Sequence, residues 1–260
     1  MPDRKPVAVI TGASAGIGAA LANVFADNGH ALVLVARRAP QLKVLADAIE
    51  ERGHARPHVI VLDLGQPDAA ARIEDELREN GLELKFLVNN AGFGLMGPAA
   101  SLDREQQLAM IDLNVRVLTE LSLRFAESLV RQQGGILNVA SVASFMPGPG
   151  MAVYHATKAY LVSFSLALGQ ELKAQGVRVT ALCPGPVDTE FSVRAKGFLS
   201  RKLTRGVDRV GREGVEGFLR GDAVVIPGRN NKVLSMLPRF LPRSVVLAII
   251  GASKREKIEH

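Results

Sequence analysis

The sequence predicts an α/β protein built on a doubly wound parallel sheet of about seven strands, with helices on both faces, in a single domain with a C-terminal tail. Three observations carry this. Short runs rich in Val, Ile and Leu alternate along the 260 residues with longer amphipathic segments. The runs are continuously apolar rather than alternating, which fits strands covered on both faces. A Gly-rich turn follows the first of them and opens a helix.

The first strand is expected at 7–10, followed by the turn and a helix running through Ala19, Ala20 and Leu21 to about Asn28, closed by Gly29. A second strand at 31–35 leads to a helix at 41–52. The third strand, 59–62, ends at Asp63; Pro67 opens a helix to Leu77, with Gly81 beyond it. The fourth, 86–88, runs into Asn89-Asn90-Ala91-Gly92. One long helix is expected over 104–131, and Gly134-Gly135 separates it from a fifth strand at 136–140. A second long helix starts near Met151 and stops before Gly176, followed by strands at 177–182 and 223–226. Two segments fall outside the alternation: an arm at 184–220, read as a substrate lid, and a tail at 228–260.

Composition narrows the function classes. Hydrophobic residues make up 47% with no Trp and 25 Gly, which suits an α/β core with many tight turns. The lone Cys183 excludes an internal disulfide framework, and no Cys and His set has metal-ligand spacing. The N-terminus enters an apolar strand too short for a secretory h-region, so a cytoplasmic, metal-free protein is expected. Net charge is +6 and the isoelectric point near 9.7. Aromatics are only 5% and the basic residues form neither a long run nor a recognition helix, which argues against nucleic acid. A phosphate-bearing cofactor or substrate explains the charge more economically.

In a Rossmann-like open sheet the ligand crevice lies outside the carboxyl ends of the strands. The Gly-rich turn, Asp63, Asn89 to Gly92, Ser141 and Pro184 to Thr189 all follow strand ends, so they gather on one edge. Gly12, Gly16 and Gly18 allow a tight turn and a close approach to a pyrophosphate at a helix N-terminus. Their spacing is G-x-x-x-G-x-G rather than the standard G-x-G-x-x-G. Where an acid would hold the ribose of NAD, the second strand ends in Arg37-Arg38, which favours the extra phosphate of NADP over NAD. Taken alone these arginines also read as solvent-facing loop residues.

Tyr154 and Lys158 stand four apart, thirteen residues after Ser141. On a helix such a pair shares one face at about 5–6 Å between Cβ atoms. A phenol with a free pKa of about 10 needs a neighbouring cation to work near neutrality, and that is the chemistry of a general acid/base. Singly, Ser141 also reads as a strand end, Asn114 as an incidental helix residue and Asn89-Asn90 as turn chemistry. His155 and Cys183 read as structural.

In order and spacing, Thr11-Gly12-Ala13-Ser14-Ala15-Gly16-Ile17-Gly18, Asn89-Asn90-Ala91-Gly92, Asn114, Ser141, Tyr154 with Lys158, and Pro184-Gly185-Pro186-Val187-Asp188-Thr189 resemble the short-chain dehydrogenase/reductase family of standard length. More loosely, the chain resembles the branch with long-chain acyl and steroid 17-ketone reductases and uncharacterised bacterial reductases. The resemblance implies that Tyr154 exchanges a proton with the substrate oxygen, Ser141 hydrogen-bonds that oxygen, and Lys158 binds the nicotinamide ribose while lowering the Tyr154 pKa. Asn114 would hold a water linking Lys158 to solvent. Cofactor contacts would come from Gly12, Ser14, Gly16, Ile17, Gly18, Arg37, Arg38, Asp63, Leu64, Asn90, Ala91, Gly92, Pro184, Gly185, Val187 and Thr189, with Tyr154 and Lys158. The implied reaction is carbonyl–alcohol interconversion with NADP(H), in a homodimer or homotetramer packed through the Tyr154 helix.

Phe93, Leu95, Val142, Phe145, Met146, Met151 and Phe191 lie near these stations and read as pocket walls for an aliphatic or fused-ring ketone. The arm carries Arg194, Lys196, Arg201, Lys202, Arg205, Arg209 and Arg212, which raises a 3-oxoacyl-thioester reductase as the rival enzyme. An enoyl reductase fits less well, because its relatives space Tyr and Lys more widely. An NADP-binding sensor without turnover is the rival from another class. Two prolines and interspersed Arg keep the tail from spanning a membrane. It caps the cleft, packs in a dimer or rests on a membrane surface, with packing on its own domain or a twin chain preferred.

Overall fold

The computed structural model describes residues 4–187, 206–242 and 244–248. The apolar runs become β1 (Lys5–Thr11), β2 (Ala31–Ala36), β3 (His58–Val61), β4 (Leu82–Asn89), β5 (Gly135–Val139), β6 (Arg178–Leu182) and β7 (Val224–Val225). They form one sheet in the order β3-β2-β1-β4-β5-β6-β7, and every neighbouring pair is parallel. Strand order reverses between β1 and β4, which opens a crevice at their carboxyl ends.

Side-chain alternation sorts the core into two layers. Ala8 and Ile10 of β1 join Leu32 and Leu34 beneath α1 (Gly16–Asp27), α2 (Ala39–Glu51) and α8 (Val207–Arg220). Val7 and Val9 face the other way, with Val33 and Val35, onto α3 (Ala69–Glu79), α5 (Leu118–Arg124), α6 (Ala126–Arg131) and α7 (Ala152–Leu172). In β4 the register slips at Lys85, since Val7 pairs with Leu84 but Ala8 with Phe86. Leu84 and Phe86 therefore face opposite layers, where a regular strand would put them on the same one. This bulge and the charged Glu83, which pairs with Arg131 at 2.9 Å, hide the first half of β4 from a reading based on apolar runs.

Two expectations change. The long helix over 104–131 is instead α4 (Arg104–Ile111), a π-helical turn at Asp112–Val117, α5 and α6, with a break at Phe125. Asn114 sits in the π turn, and its amide bonds the Phe93 backbone rather than solvent, which drags the helix out of regular register there. The arm is not all lid. Residues 207–220 are α8, whose Val210, Val215 and Phe218 are buried against α1, with Gly211 letting its backbone approach Ala20. Residues 188–205 lie outside the described set. Of the tail, Arg229–Phe240 is α9.

A chain of buried amides crosses the sheet. Asn89 donates to Ser122 Oγ (3.1 Å) and Asn138 Oδ1 (2.9 Å), and Asn138 donates to Ser165 Oγ (2.9 Å). Asn138 is fully buried, so truncation strands its partners without water. Asn138→Ala is expected to lose about 1–3 kcal/mol of unfolding free energy in urea denaturation; parental stability would mean the amide chain contributes nothing.

Candidate active site

The crevice is fixed first by Thr11 at the end of β1. Its hydroxyl donates to Val88 O (3.1 Å) and accepts from the amides of Asn90 (3.0 Å) and Ala91 (3.1 Å). Asn90 returns the tie, its Nδ2 donating to Thr11 O (2.9 Å) and Gly12 O (3.1 Å). The Gly-rich turn is thereby pressed against the end of β4. Gly12 has φ +65°, and a Cβ there would stand 2.8 Å from Asn90 Nδ2; one at Gly18 would overlap Gly12 O and stand 2.5 Å from the same amide. Helix α1 starts beside this turn, and Ala15 at its N-cap supplies no side-chain bond to the first amides.

At the end of β2 the two arginines part. Arg38 donates to Ser14 Oγ from Nε (3.2 Å) and from a terminal nitrogen (3.1 Å), which brings a guanidinium onto the Gly-rich turn. Arg37 pairs instead with Asp63 at 3.7 Å, both half exposed, which is worth little in water. Asp63 also accepts from the Gly65 amide (3.0 Å), while Leu64 is buried. Ile17 packs against the α1 side of the core.

Across the crevice, Tyr154 and Lys158 project from α7, and both are buried. The Lys158 ammonium donates to Val139 O (2.8 Å) and lies 5.9 Å from the Tyr154 ring centroid. Ser141, extended at the end of β5, accepts from the Ala143 amide (3.1 Å) and hydrogen-bonds the Tyr154 phenol. Burial pushes the phenol up to about 12, opposed by Ser141, and pushes Lys158 down to about 8, opposed weakly by Cys183. Desolvation dominates, and the group working against it is the Ser141 hydroxyl. Burial also pushes the Cys183 thiol up to about 12, as suits a core residue.

Asn114 donates to Phe93 O (2.9 Å) and Thr157 Oγ1 (3.1 Å) and accepts from Phe93 N (3.1 Å), which leaves one acceptor position on its oxygen. A Cβ on Gly92 would stand 2.7 Å from that oxygen and 3.7 Å from Lys158 Nζ, so glycine keeps open the space between them. Thr157, inside the Tyr154 to Lys158 segment, was not singled out in the sequence. Its position three residues after Tyr154 is the signal, since its hydroxyl bonds Tyr154 O (2.8 Å) while receiving Asn114.

Met151 is buried beside Tyr154 with Met110 and Ala143, and Phe93, Leu95, Met96 and Val153 pack on that cluster. Met96, next to Leu95, was passed over, and Met110 escaped the sequence reading because it lies far from any strand-end motif. Phe145 is turned away, onto Leu161 and Cys183. Met146 contributes its carbonyl to His155 Nδ1 (2.8 Å), so His155 anchors the loop before α7, and a side chain on Gly148 would collide with its ring. Val142 is half-buried, its amide on Pro184 O (3.0 Å). Pro184 and Val187 are buried beside Gly185, which packs on Asn231 of α9. Thr189 and Phe191 lie outside the described residues.

The signature of the short chain dehydrogenase family matches residues 6–197. The chain belongs to this family. It is an oxidoreductase of the alcohol–carbonyl class. Sulfoacetaldehyde reductase 2 of Chromohalobacter salexigens is 39% identical over 194 residues, covering 74% of this chain and 76% of that one. Serine 3-dehydrogenase of Agrobacterium fabrum is 35% identical, covering 78% and 81%. Among solved structures, a short-chain dehydrogenase of Sphingobium yanoikuyae in complex with NADPH superposes with a TM-score of 0.78 at 36% identity, covering 85% and 87%. A bulky-bulky ketone specific alcohol dehydrogenase of Comamonas testosteroni superposes equally well at 32% identity, covering 94% of each chain.

Within this family member the buried ammonium opposes folding. Lys158 titrates at about 8 when folded against an ordinary 10.5, so the folded chain binds its proton less readily. The resulting penalty is full below pH 8 and fades as pH rises to 10.5. Lys158→Met is thus expected to melt higher than the parent at pH 7 without cofactor, by on the order of 1–3 kcal/mol, with the gain vanishing near pH 10.5. Melting curves across that range check it; a variant less stable at pH 7 would refute the penalty.

Proposed function

We propose that the protein is an NADP(H)-dependent oxidoreductase interconverting an apolar ketone and its secondary alcohol, with Tyr154 as proton donor and acceptor. The observation that carries the reading is the burial of Tyr154 against Ser141 and beside Lys158, at the edge of an apolar cluster of Phe93, Leu95, Met96 and Met151. A phenol held near 12 stays protonated at neutral pH, which suits it to deliver a proton to a carbonyl oxygen. Ser141 is a second donor to the same oxygen, where negative charge builds during reduction. Lys158 and Asn114, with the space that Gly92 leaves between them, give the proton a route for replacement through water.

The residues suit a dinucleotide. Gly12 and Gly18, where a Cβ would collide with Asn90 and with Gly12 O, and Gly16 at φ +57° hold the turn tight beside Ser14, Ile17 and the uncapped amides of α1. Asn90, Ala91 and Gly92 border it; Asp63 and Leu64 would meet an adenine, and Pro184, Gly185 and Val187 a carboxamide, the role that the resemblance also gives Thr189. Arg38 on Ser14, with no acid at the end of β2, favours a 2′-phosphate; Arg37, engaged with Asp63, is the lesser contributor. When bound, the cofactor supplies the hydride.

A 3-oxoacyl thioester is the second reading, favoured by the basic strip 194–212. Within it Arg209 already pairs with Glu213 at 2.6 Å, which leaves it less suited to a phosphate. Exposed Leu108, Ile111, Leu123, Tyr160 and Leu166 on α4, α5 and α7 support a homo-oligomer formed through α7. A cytoplasmic location completes the proposal.

The expected outcome is oxidation of NADPH well ahead of NADH, followed at 340 nm, with steroid or aryl ketones, and at least a ~10³-fold loss in Tyr154→Phe. Arg38→Ala is expected to raise the KM for NADPH about tenfold or more without changing that for NADH. Cofactor binding with no ketone turned over would favour a sensor. Leu123→Glu with Leu166→Glu is expected to shift sedimentation from oligomer to monomer; an unchanged mass places the interface elsewhere.

A further inference from the structure

Helix α9 is built inside out. Val233, Leu234, Met236, Leu237 and Phe240 share one face spanning about two turns, and they are 44–77% exposed, while polar Ser235 is buried on the opposite side. Val245 and Leu247 extend the patch. Half of the exposed large apolar side chains among the described residues thus fall within 233–247. A helix that folds in water with its apolar stripe outward has that stripe covered by something else.

Charge identifies what covers it. Residues 228–260 hold seven basic and two acidic side chains, among them exposed Arg229 and Lys232 on α9 itself. Residues 188–205 add a net +3, so the remaining chain carries a net −2. The excess positive charge of the protein therefore falls, along the sequence, in segments 188–205 and 228–260, and its described members Arg229 and Lys232 stand exposed on the helix that carries the apolar patch. A second copy would bring one cationic segment against another. An anionic lipid surface matches both features, because it takes apolar side chains into its acyl boundary and basic ones at its phosphates. Among the described residues no helix is long and apolar enough to cross a membrane, and Pro238 interrupts this one.

We propose that the outward face of α9, with Val245 and Leu247, docks the protein peripherally on anionic membranes. The helix packs on the turn at Val142–Phe145, directly after Ser141, so docking sets the mouth of the Tyr154 site at the lipid boundary. The inference concerns docking alone and stands whatever ketone is reduced.

Flotation of the full chain with NADPH tests it, using vesicles of phosphatidylcholine alone and mixed with phosphatidylserine. The protein is expected to float with the mixed vesicles at low salt and to remain behind with the neutral ones. Leu237→Glu with Phe240→Glu is expected to reduce the bound fraction about tenfold or more. Arg229→Gln and Lys232→Gln are expected to weaken binding roughly fivefold per charge. All variants keep the parental melting temperature and sedimentation. Failure to float with the mixed vesicles overturns the proposal, as does equal flotation with neutral ones or undiminished binding by the double glutamate variant. A smaller sedimenting species in that variant alone would assign the face to a second copy and overturn it as well.

Discussion

The arrangement rests on one close approach, that of the backbone after β1 to the backbone after β4. Thr11 and Asn90 lock the two strand ends through five hydrogen bonds at 2.9–3.1 Å, and the contact is possible only because Gly12 and Gly18 carry no side chain. Strand order reverses at this point, so the same lock that closes the sheet's carboxyl edge also shapes the crevice. Moving either strand end would shift the Gly-rich turn and the loop carrying Gly92 and Phe93 together. Phe93 in turn holds Asn114, Asn114 holds Thr157, and Thr157 is fixed to Tyr154 O. The cofactor side and the proposed proton-transfer side are thus joined through a short run of side-chain to backbone bonds.

That coupling holds two ionisable groups where water would not leave them. Burial works against the charged form of each, raising the phenol and lowering the ammonium, so at neutrality the phenol stays protonated while the ammonium is only partly opposed. Stability alone would remove Lys158, since a single carbonyl at 2.8 Å is a modest return for a buried charge. Its presence at this depth supports the proposed proton transfer better than it supports packing. The amide chain through Asn89 and Asn138 supports the same region from below, tying α5 and α7 to the central strands, so the helix bearing Tyr154 is anchored along its length.

Strand positions and the polar stations were legible because both have local signals: continuous apolar runs, glycines at a turn, and Tyr and Lys one helical turn apart. What escaped has non-local causes. The first half of β4 was missed because Glu83 and Lys85 break its apolar run, and the reason they are tolerated is a bulge and a partner on α6. The helix over 104–131 looked continuous because nothing in its sequence breaks it; the π turn comes from the grip of Asn114 on a loop twenty-one residues away. Phe145 reads like a pocket wall beside Ser141, yet the short helical turn points it into the layer of Leu161 and Cys183. The depth of the site escaped for a similar reason, since spacing reveals a cation beside Tyr154 but not how deeply both groups lie.

The molecule therefore divides its sequence between a scaffold and an edge. The family signature spans 6–197 and covers the glycine turn, the lock between β1 and β4, and the helix bearing Tyr154 and Lys158. Helix α9 lies beyond that span, and there the usual relation between hydropathy and burial inverts, with Phe240 77% exposed and Ser235 3%. A chain whose body is so well sorted into two buried layers does not place five large apolar side chains outward through poor packing. The inversion is local, it coincides with the basic surplus of residues 228–260, and it borders the turn that follows Ser141. Hydropathy and charge change together at the mouth of the site, which is where a protein acting on apolar compounds would meet the phase in which such compounds concentrate.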